Sequence, residues 1–319
     1  MPEHTWPGIG PLSRAPGSES SELTPGREPL RDVTDSEIRA FTDDGVVHLP
    51  GILPGAWIDL LDGPVDETIA DPSVTADLTA LGEDLAADLG SEPLIDPRTS
   101  GGHFLSGVDH WRHHEAFAAF ATASPLAEIA GVLMEAAHVN LYEDSVLVKE
   151  PGTAEETAFH QDLGYFHLTG DRICTTWVPL DRVGIDTGAV AYLRGSHLTG
   201  TVYRPNWFVT TDPLPGTEGA PVPSIRPDDD HPDMIRFEVV PGDIVVHHAA
   251  TLHGAGANRS SSRRRRAISV RYCGDGVRYQ IRPGAPTKPH HSEVSSGDMV
   301  VDHPDCPLVW TRPPGYSDR

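Results

Sequence analysis

The sequence predicts a mainly β protein with flanking helices, a sandwich or barrel of the jelly-roll kind with a helical N-terminal layer. Three observations carry that expectation. After Val139 the apolar residues fall into short runs separated by Gly, Pro and Asp, the pattern of many short strands. Before it they recur at helical spacing, as at Ile38 and Phe41 and again from Leu126 to Ala137. No internal repeat or composition break splits the chain, and 38% hydrophobic residues over 319 positions can bury one sizeable core.

In order along the chain, residues 1–30 are rich in Pro, Gly and charge, show no periodicity, and read as a flexible tail. Structure begins at Thr34-Asp35-Ser36-Glu37, a capping box in which hydroxyl and carboxylate can each satisfy a free backbone N–H. Asp43-Asp44-Gly45 stops that helix, Val46 to Pro50 reads as a strand, and Trp57, Leu60 and Leu61 open a second helix. The acidic Ala/Leu-rich stretch from Ser73 to Asp96 is helical in places, with its charges on a solvated face. Phe104 to Trp111 reads as a strand, and His110, His113 and His114 as polar residues flanking a helix start. Eight strands are expected beyond Val139: Val139 to Leu141, Ser145 to Val148, Thr157 to Phe159, Ile173 to Val178, Ala189 to Tyr192, Phe237 to Val240, Ile244 to His247 and Ala267 to Tyr272. Residues 205–234 form a long insertion, and loops of that length in a compact domain are usually functional. The expected organisation is a single domain over 31–319, with the jelly-roll core at about 139–275.

Charge and cysteine content narrow the function classes. With 47 acidic and 24 basic residues the formal charge is -23, which disfavours nucleic acid or an anionic membrane as partner and leaves a small molecule. Monomer and homodimer are both compatible with it. Three dispersed cysteines indicate neither a disulfide framework nor a thiolate zinc site, and point to a reducing, cytoplasmic setting. The N-terminus lacks a signal-peptide core, and no apolar run is read as reaching the roughly 18 residues of a membrane span. Nearly all basic residues are Arg; the two lysines are Lys149 and Lys288.

His160-Gln161-Asp162 places an imidazole and a carboxylate two residues apart, a spacing that in a strand directs both to one face. Alone, the pair is at chance level among 17 His. Three downstream segments change that reading: Gly-Ala-Val-Ala-Tyr-Leu-Arg-Gly-Ser-His at 188–197, a Gly242-Asp243 turn, and His253-Gly254-Ala255-Gly256-Ala257-Asn258 before Arg263 to Arg266. Together with Glu-Ile-Arg-Ala-Phe at 37–41 and Cys306-Pro307-Leu308-Val309-Trp310, this order resembles the phytanoyl-CoA dioxygenase family, Fe(II)- and 2-oxoglutarate-dependent oxygenases on a double-stranded β-helix of the cupin-like kind.

The resemblance implies that His160, Asp162 and His253 ligate iron, leaving coordination positions for 2-oxoglutarate and O2. Family members that halogenate carry a small residue where Asp162 stands, so hydroxylation of an unactivated C–H is implied, with desaturation or ring closure on the same iron. The far carboxylate of 2-oxoglutarate needs an Arg. Counting eleven residues from His253 gives Arg264; aligning Ala267-Ile268-Ser269 gives Arg265, which the strand register favours. Trp177 and Ser145 are further cosubstrate positions, Ala255 departs from the frequent Ser, and Tyr165, Phe166 and Lys149 are substrate-side positions. His247 has the ligand parity without the motif. Residues 205–234 are expected to act as a lid. A cupin-like metal hydrolase or isomerase, or a non-catalytic binding protein, would use a similar barrel without requiring the Arg.

Overall fold

The computed structural model describes residues 24–89 and 92–315. The expected tail therefore falls largely outside the described residues, as 1–23, but its last residues are fastened down. Gly26 O accepts from Trp57 Nε1 at 2.9 Å, and Leu30 N donates to Ile52 O at 2.9 Å.

Five helices and fourteen strands are described. Helix α1 (Asp35–Asp44) starts on the capping box: Glu37 N donates to Thr34 Oγ1 at 3.3 Å and Thr34 N to Glu37 Oε2 at 2.8 Å. It stops at Gly45, whose φ of 76° an L side chain would resist, and where a Cβ would lie 2.3 Å from His197 Nδ1. Strand β1 (Val46–Leu49), α2 (Gly55–Ile69), β2 (Ala76–Asp77), α3 (Leu78–Leu89) and β3 (Phe104–Val108) follow. Then come α4 (Glu115–Ala123), whose first turn is capped by His114 Nδ1 accepting from Ala116 N at 3.1 Å, and α5 (Leu126–Leu133). The expected helix ran to Ala137, but it ends at Leu133, and Glu135 turns into the left-handed region at φ 50°.

The stretch Glu115–Leu133 corrects one expectation, because it is 19 residues long and apolar enough to pass for a membrane span by length and composition. Pro125 forces Ser124 into an extended conformation, and the stretch becomes two helices packed in the core.

The remaining strands are β4 (His138–Lys149), β5 (Thr157–His160), β6 (Leu168–Thr169), β7 (Ile173–Pro179), β8 (Val190–Leu193), β9 (Met234–Arg236), β10 (Ile244–His248), β11 (His253–Ala255), β12 (Arg265–Gly274), β13 (Arg278–Tyr279) and β14 (Leu308–Thr311). An eight-stranded sheet runs β1-β10-β7-β12-β4-β3-β2, with β14 also on β4, and faces a four-stranded sheet, β5-β11-β8-β9. This is a jelly roll with antiparallel pairing, and β1 and β3 complete the sheet from outside the 139–275 span. The outer face of the large sheet is buried under α1, α2, α4 and α5 through Trp57, Phe117, Phe120, Ile129 and Leu133. Its inner face lines a cavity.

Two regions differ from expectation. Phe237 to Val240 is not a strand; pairing with β8 falls at Met234–Arg236 instead. The two strands expected around 139–148 are one, β4, with a bulge. Arg271 pairs with Glu143 while Tyr272 pairs with Leu141, leaving Tyr142 as the extra residue. The bulge flips parity, so Tyr142 and Glu143 both reach the cavity, and the broken alternation looked like a turn in the sequence.

Candidate metal and cosubstrate site

The inner face of the large sheet is built in layers. One cross-strand row is His247, Thr175, Arg271 and Glu143; the next is Val245, Trp177, Ser269 and Ser145. From the small sheet, His253 on β11 pairs directly with His160 on β5 and with Tyr192 on β8. Gly254 permits that approach: a Cβ there would lie 2.7 Å from Thr157 O and 2.9 Å from the Phe159 ring. Asp162 does not sit in a strand as expected. β5 ends at His160, and a short 3-10 turn over Asp162–Gly164 swings the carboxylate back beside the imidazoles.

The ligand atoms of His160, Asp162 and His253 lie within 4.8 Å of one another. Their protonation follows from their partners. Nδ1 of His160 lies 2.8 Å from Ala158 O and Nδ1 of His253 lies 3.0 Å from Thr251 O. A carbonyl only accepts, so both Nδ1 atoms carry the proton and both Nε2 lone pairs point inward. Asp162 Oδ2 accepts from Thr175 Oγ1 at 2.5 Å and from His247 Nε2 at 3.2 Å. Asp162 Oδ1 faces Nε2 of His160 and of His253, each at 3.8 Å, too long for a hydrogen bond. Three lone pairs converge with no proton between them, an arrangement that suits a metal cation.

The electrostatics agree. Burial pushes the pKa of both His160 and His253 down, that of His253 well below the usual value, so both imidazoles are neutral. Burial opposes ionisation of Asp162, but the hydrogen bond from His247 and the electrostatic pull of the Arg271 guanidinium outweigh it and hold the carboxyl well below its usual range.

At the other end of the cavity stands Arg265. It is 2% exposed, lies over Trp177 with 5.9 Å from Cζ to the ring centroid, and its guanidinium makes no hydrogen bond or ion pair among the described residues. The Tyr192 hydroxyl, also lining this cavity, is buried without a partner as well. Burial lowers the Arg265 pKa to about 10, with Tyr192 and Asp181 opposing. A buried, unpaired, planar cation with a neighbouring free hydroxyl fits a carboxylate. The rest of the arginine run faces outward: Arg263 pairs with Asp186, Arg264 with Glu150 and Asp66, and Arg266 with Asp181 and Asp62.

The remaining expected residues divide. Ser145 and Trp177 line the cavity, as do Tyr165 and Phe166. Lys149 does not line it. Its Nζ donates to Glu155 O and Gly256 O, both at 2.8 Å, and sits 4.7 Å over the Phe104 ring, so it stitches loops together behind Arg265. Burial, aided by Arg265, pushes its pKa well below that of an ordinary lysine. Asn258 of the His-Gly-Ala-Gly-Ala-Asn motif has a similar loop-binding role, donating to Lys149 O, Glu150 O and Arg263 O.

Several cavity residues carry no motif signal. Thr175 and His247 brace the outer oxygen of Asp162; His247 has the inward parity expected of it, and parity with Trp177 leads to Thr175. Phe208 lies in the 205–234 insertion with its ring 4.7 Å from that of His160 and stacked on Tyr165 at 5.0 Å. Its φ of 65° is strained for a bulky residue, and Asn206 holds the turn by donating to Phe159 O and accepting from Phe208 N. Arg271 and Lys288 complete the wall.

Residues 41–267 match the phytanoyl-CoA dioxygenase (PhyH) family. The chain belongs to that family. Among curated proteins, a probable alpha-ketoglutarate-dependent hypophosphite dioxygenase from Stutzerimonas stutzeri is 31% identical over 143 residues, 40% of this chain and 43% of that one. A probable phytanoyl-CoA dioxygenase from Caenorhabditis elegans is 32% identical over 119 residues, 37% of this chain and 36% of that one. The chain thus spans less than half the length of these curated relatives. Among solved structures, the non-heme alpha-ketoglutarate-dependent carbocyclase SnoK from nogalamycin biosynthesis superposes with TM-score 0.58 at 24% identity, over 90% of this chain and all of that one. EctD from S. alaskensis superposes with TM-score 0.56 at 18% identity, over 89% of each chain. At these identities the structural likeness speaks for the fold.

Proposed function

We propose that this PhyH-family chain is an Fe(II)- and 2-oxoglutarate-dependent oxygenase, acting as one domain over residues 31–319, that hydroxylates an unactivated C–H of a small organic molecule. The convergence of three unprotonated lone pairs from His160, Asp162 and His253 carries the reading. These three residues would hold the iron on one face. When bound, iron with 2-oxoglutarate supplies the oxidising power, drawn from O2, to break a C–H bond.

The chain's own residues do the rest. Thr175 and His247 occupy the outer oxygen of Asp162, which keeps the inner oxygen free for the metal and holds the carboxylate in one orientation. Arg265, with the Tyr192 hydroxyl and the Trp177 face, would take the far carboxylate of 2-oxoglutarate, and Ser145 lies on the path between. Tyr165, Phe166 and Phe208 exclude water from the reacting side, with 205–234 as the lid that carries Phe208. An aspartate at 162, in place of a small residue, favours oxygen transfer over halogen transfer. A soluble, cytoplasmic enzyme with a small-molecule partner is the setting we infer.

Anaerobic addition of Fe(II) and 2-oxoglutarate tests this directly. A weak visible charge-transfer band is expected, and Asp162→Ala should abolish it while leaving the protein folded. A folded parental protein that shows no band would sink the oxygenase reading and favour a cupin-like hydrolase, isomerase or binding protein.

A further inference from the structure

The metal-side wall of the cavity carries a second, partly buried arginine that neither the metal nor the far carboxylate of the cosubstrate uses. Arg265, Ala267, Ser269 and Arg271 share the inner face of β12, and the two arginines are six residues apart, about 20 Å between α carbons. Arg271 is 12% exposed at its side chain and lines the cavity. Its Nη1 donates to Ser145 Oγ at 2.6 Å and lies 3.5 Å from Glu143 Oε1, while Nη2 makes no hydrogen bond among the described residues.

The acids around Arg271 are already committed. Lys288 Nζ lies 2.8 Å from Glu143 Oε2 and 2.7 Å from Asp109 Oδ2, and Asp109 in turn lies 3.6 Å from Arg112 Nε. Arg112 is also paired with Asp305. The result is a row of alternating charge, Asp305, Arg112, Asp109, Lys288, Glu143, Arg271, buried at Arg112, Asp109 and Lys288 and partly buried at the others. Every inner member has an opposite charge on both sides; the row ends at the cavity on a cation. Two other acids lie near that end among the described residues: Asp162, 4.0 Å from Arg271 Nε, with its oxygens taken by Thr175, His247 and the metal position, and Asp144, which pairs with Val270 on the opposite strand parity and accepts from Trp111 N at 3.1 Å. In a chain of net charge -23 with two lysines in all, the placing of one of them beside Arg271 on this wall is not a reflection of composition. Around it the lining is aromatic, with Tyr142 and Phe166 in edge contact at 5.0 Å.

We propose that Arg271 is the substrate-anchoring residue and that the substrate is a carboxylic acid with an apolar or aromatic body, its carboxylate received by Nη2 and its body lying along Tyr142 and Phe166. This rests on the oxygenase reading above. A carboxylate is also what 2-oxoglutarate offers the metal, so the two sources must be told apart.

The test uses full-length protein loaded with Mn(II) and 2-oxoglutarate, which binds substrate without turnover. A panel of aliphatic and aromatic monocarboxylic acids, each beside its primary amide, is scored by thermal shift. Acids should stabilise the protein where their amides do not. Arg271→Gln should weaken the best acid about 10-fold or more and Arg271→Lys less, because a charge-assisted hydrogen bond is lost or only partly replaced. In Arg271→Lys, which keeps the positive charge beside Asp162, the anaerobic Fe(II) charge-transfer band should still titrate with 2-oxoglutarate within about threefold of the parent, well short of the loss of a charge-assisted contact; this also shows that it folds, and circular dichroism checks the fold of Arg271→Gln. Acids that stabilise no better than amides, or acid binding that persists in Arg271→Gln, would overturn the proposal. An equal loss of 2-oxoglutarate affinity would assign Arg271 to the cosubstrate instead. No band in the parent would be a failure of the oxygenase reading itself.

Discussion

Two groups of His and Asp in this molecule meet the same distance criterion, and they differ in where the protons sit. The ligand atoms of His160, Asp162 and His253 lie within 4.8 Å of one another, and so do those of His290, His303 and Asp305. In the first group each imidazole gives its proton to a backbone carbonyl and each free lone pair faces the centre. In the second, His303 Nδ1 accepts the Asp305 backbone N–H at 3.1 Å, so its proton lies on Nε2, on the side a metal would need. Asp305 is further held by Arg112, a cation that would repel another. Proximity of ligand-type residues is therefore weak; the hydrogen bonds of the atoms that do not face the site decide.

The contrast between the clusters breaks most sharply on metal content. Purified protein reconstituted with Fe(II) under argon should hold a single ion per chain. Replacing His160, Asp162 or His253 with Ala should remove it, a loss of at least about 100-fold in affinity, larger than the 10–100-fold typical of residues that only support ligands. His303→Ala should leave the stoichiometry unchanged. A second equivalent that disappears in His303→Ala would show that a protonated, arginine-flanked cluster can still bind.

The next effect concerns the arginines. Arg265→Ala should weaken 2-oxoglutarate by about 100-fold, the scale for truncating one member of a buried charge pair. Arg264→Ala should change it by less than about twofold, since exposed ion pairs contribute little. Titration of the anaerobic charge-transfer band measures both, and the reverse order would mean that the inward-facing residue is not the anchor.

Much of the site is legible in the sequence. Motif order and strand parity lead to His160, Asp162, His253 and Arg265, and parity holds because Ala267 and Ser269 are small residues that β12 turns inward beside Arg265. The same parity marks His247, and extends to Thr175 and Arg271; none of the three belongs to a motif. Glu143 and Tyr142 are hidden by the bulge, which breaks the alternation that strand reading depends on. Lys288 cannot be read at all, and Phe208 only as an aromatic residue of the expected lid. One lies before a short 3-10 turn and the other in a long insertion, where periodicity says nothing about direction. Lys149 misleads for a related reason: on β4 it has inward parity, but its long side chain ends on the carbonyls of Glu155 and Gly256.

The smallest effect separates the two clusters by pH. His290 is packed with both ring nitrogens buried and unpartnered, and burial, set against the pull of Asp305, lowers its pKa to about 4. The unfolded chain binds that proton near 6.5, so between 6.5 and 4 the unfolded state carries more protons than the folded one. The contribution of this neutral imidazole to stability is thus fully present above pH 6.5 and is lost as the pH falls through about 4. His110 and His248, both lowered to about 4 chiefly by burial, act in the same direction. Urea unfolding of the iron-loaded protein should therefore show stability falling steadily below pH 6.5. His290→Leu removes one titrating group without touching the first cluster, and it should raise stability relative to the parent by about 1–2 kcal/mol more at pH 4.5 than at pH 7.5. Equal effects at the two pH values would mean that His290 is not held neutral in the folded protein, and the contrast between a cluster with converging lone pairs and a packed, proton-filled one would lose its electrostatic half.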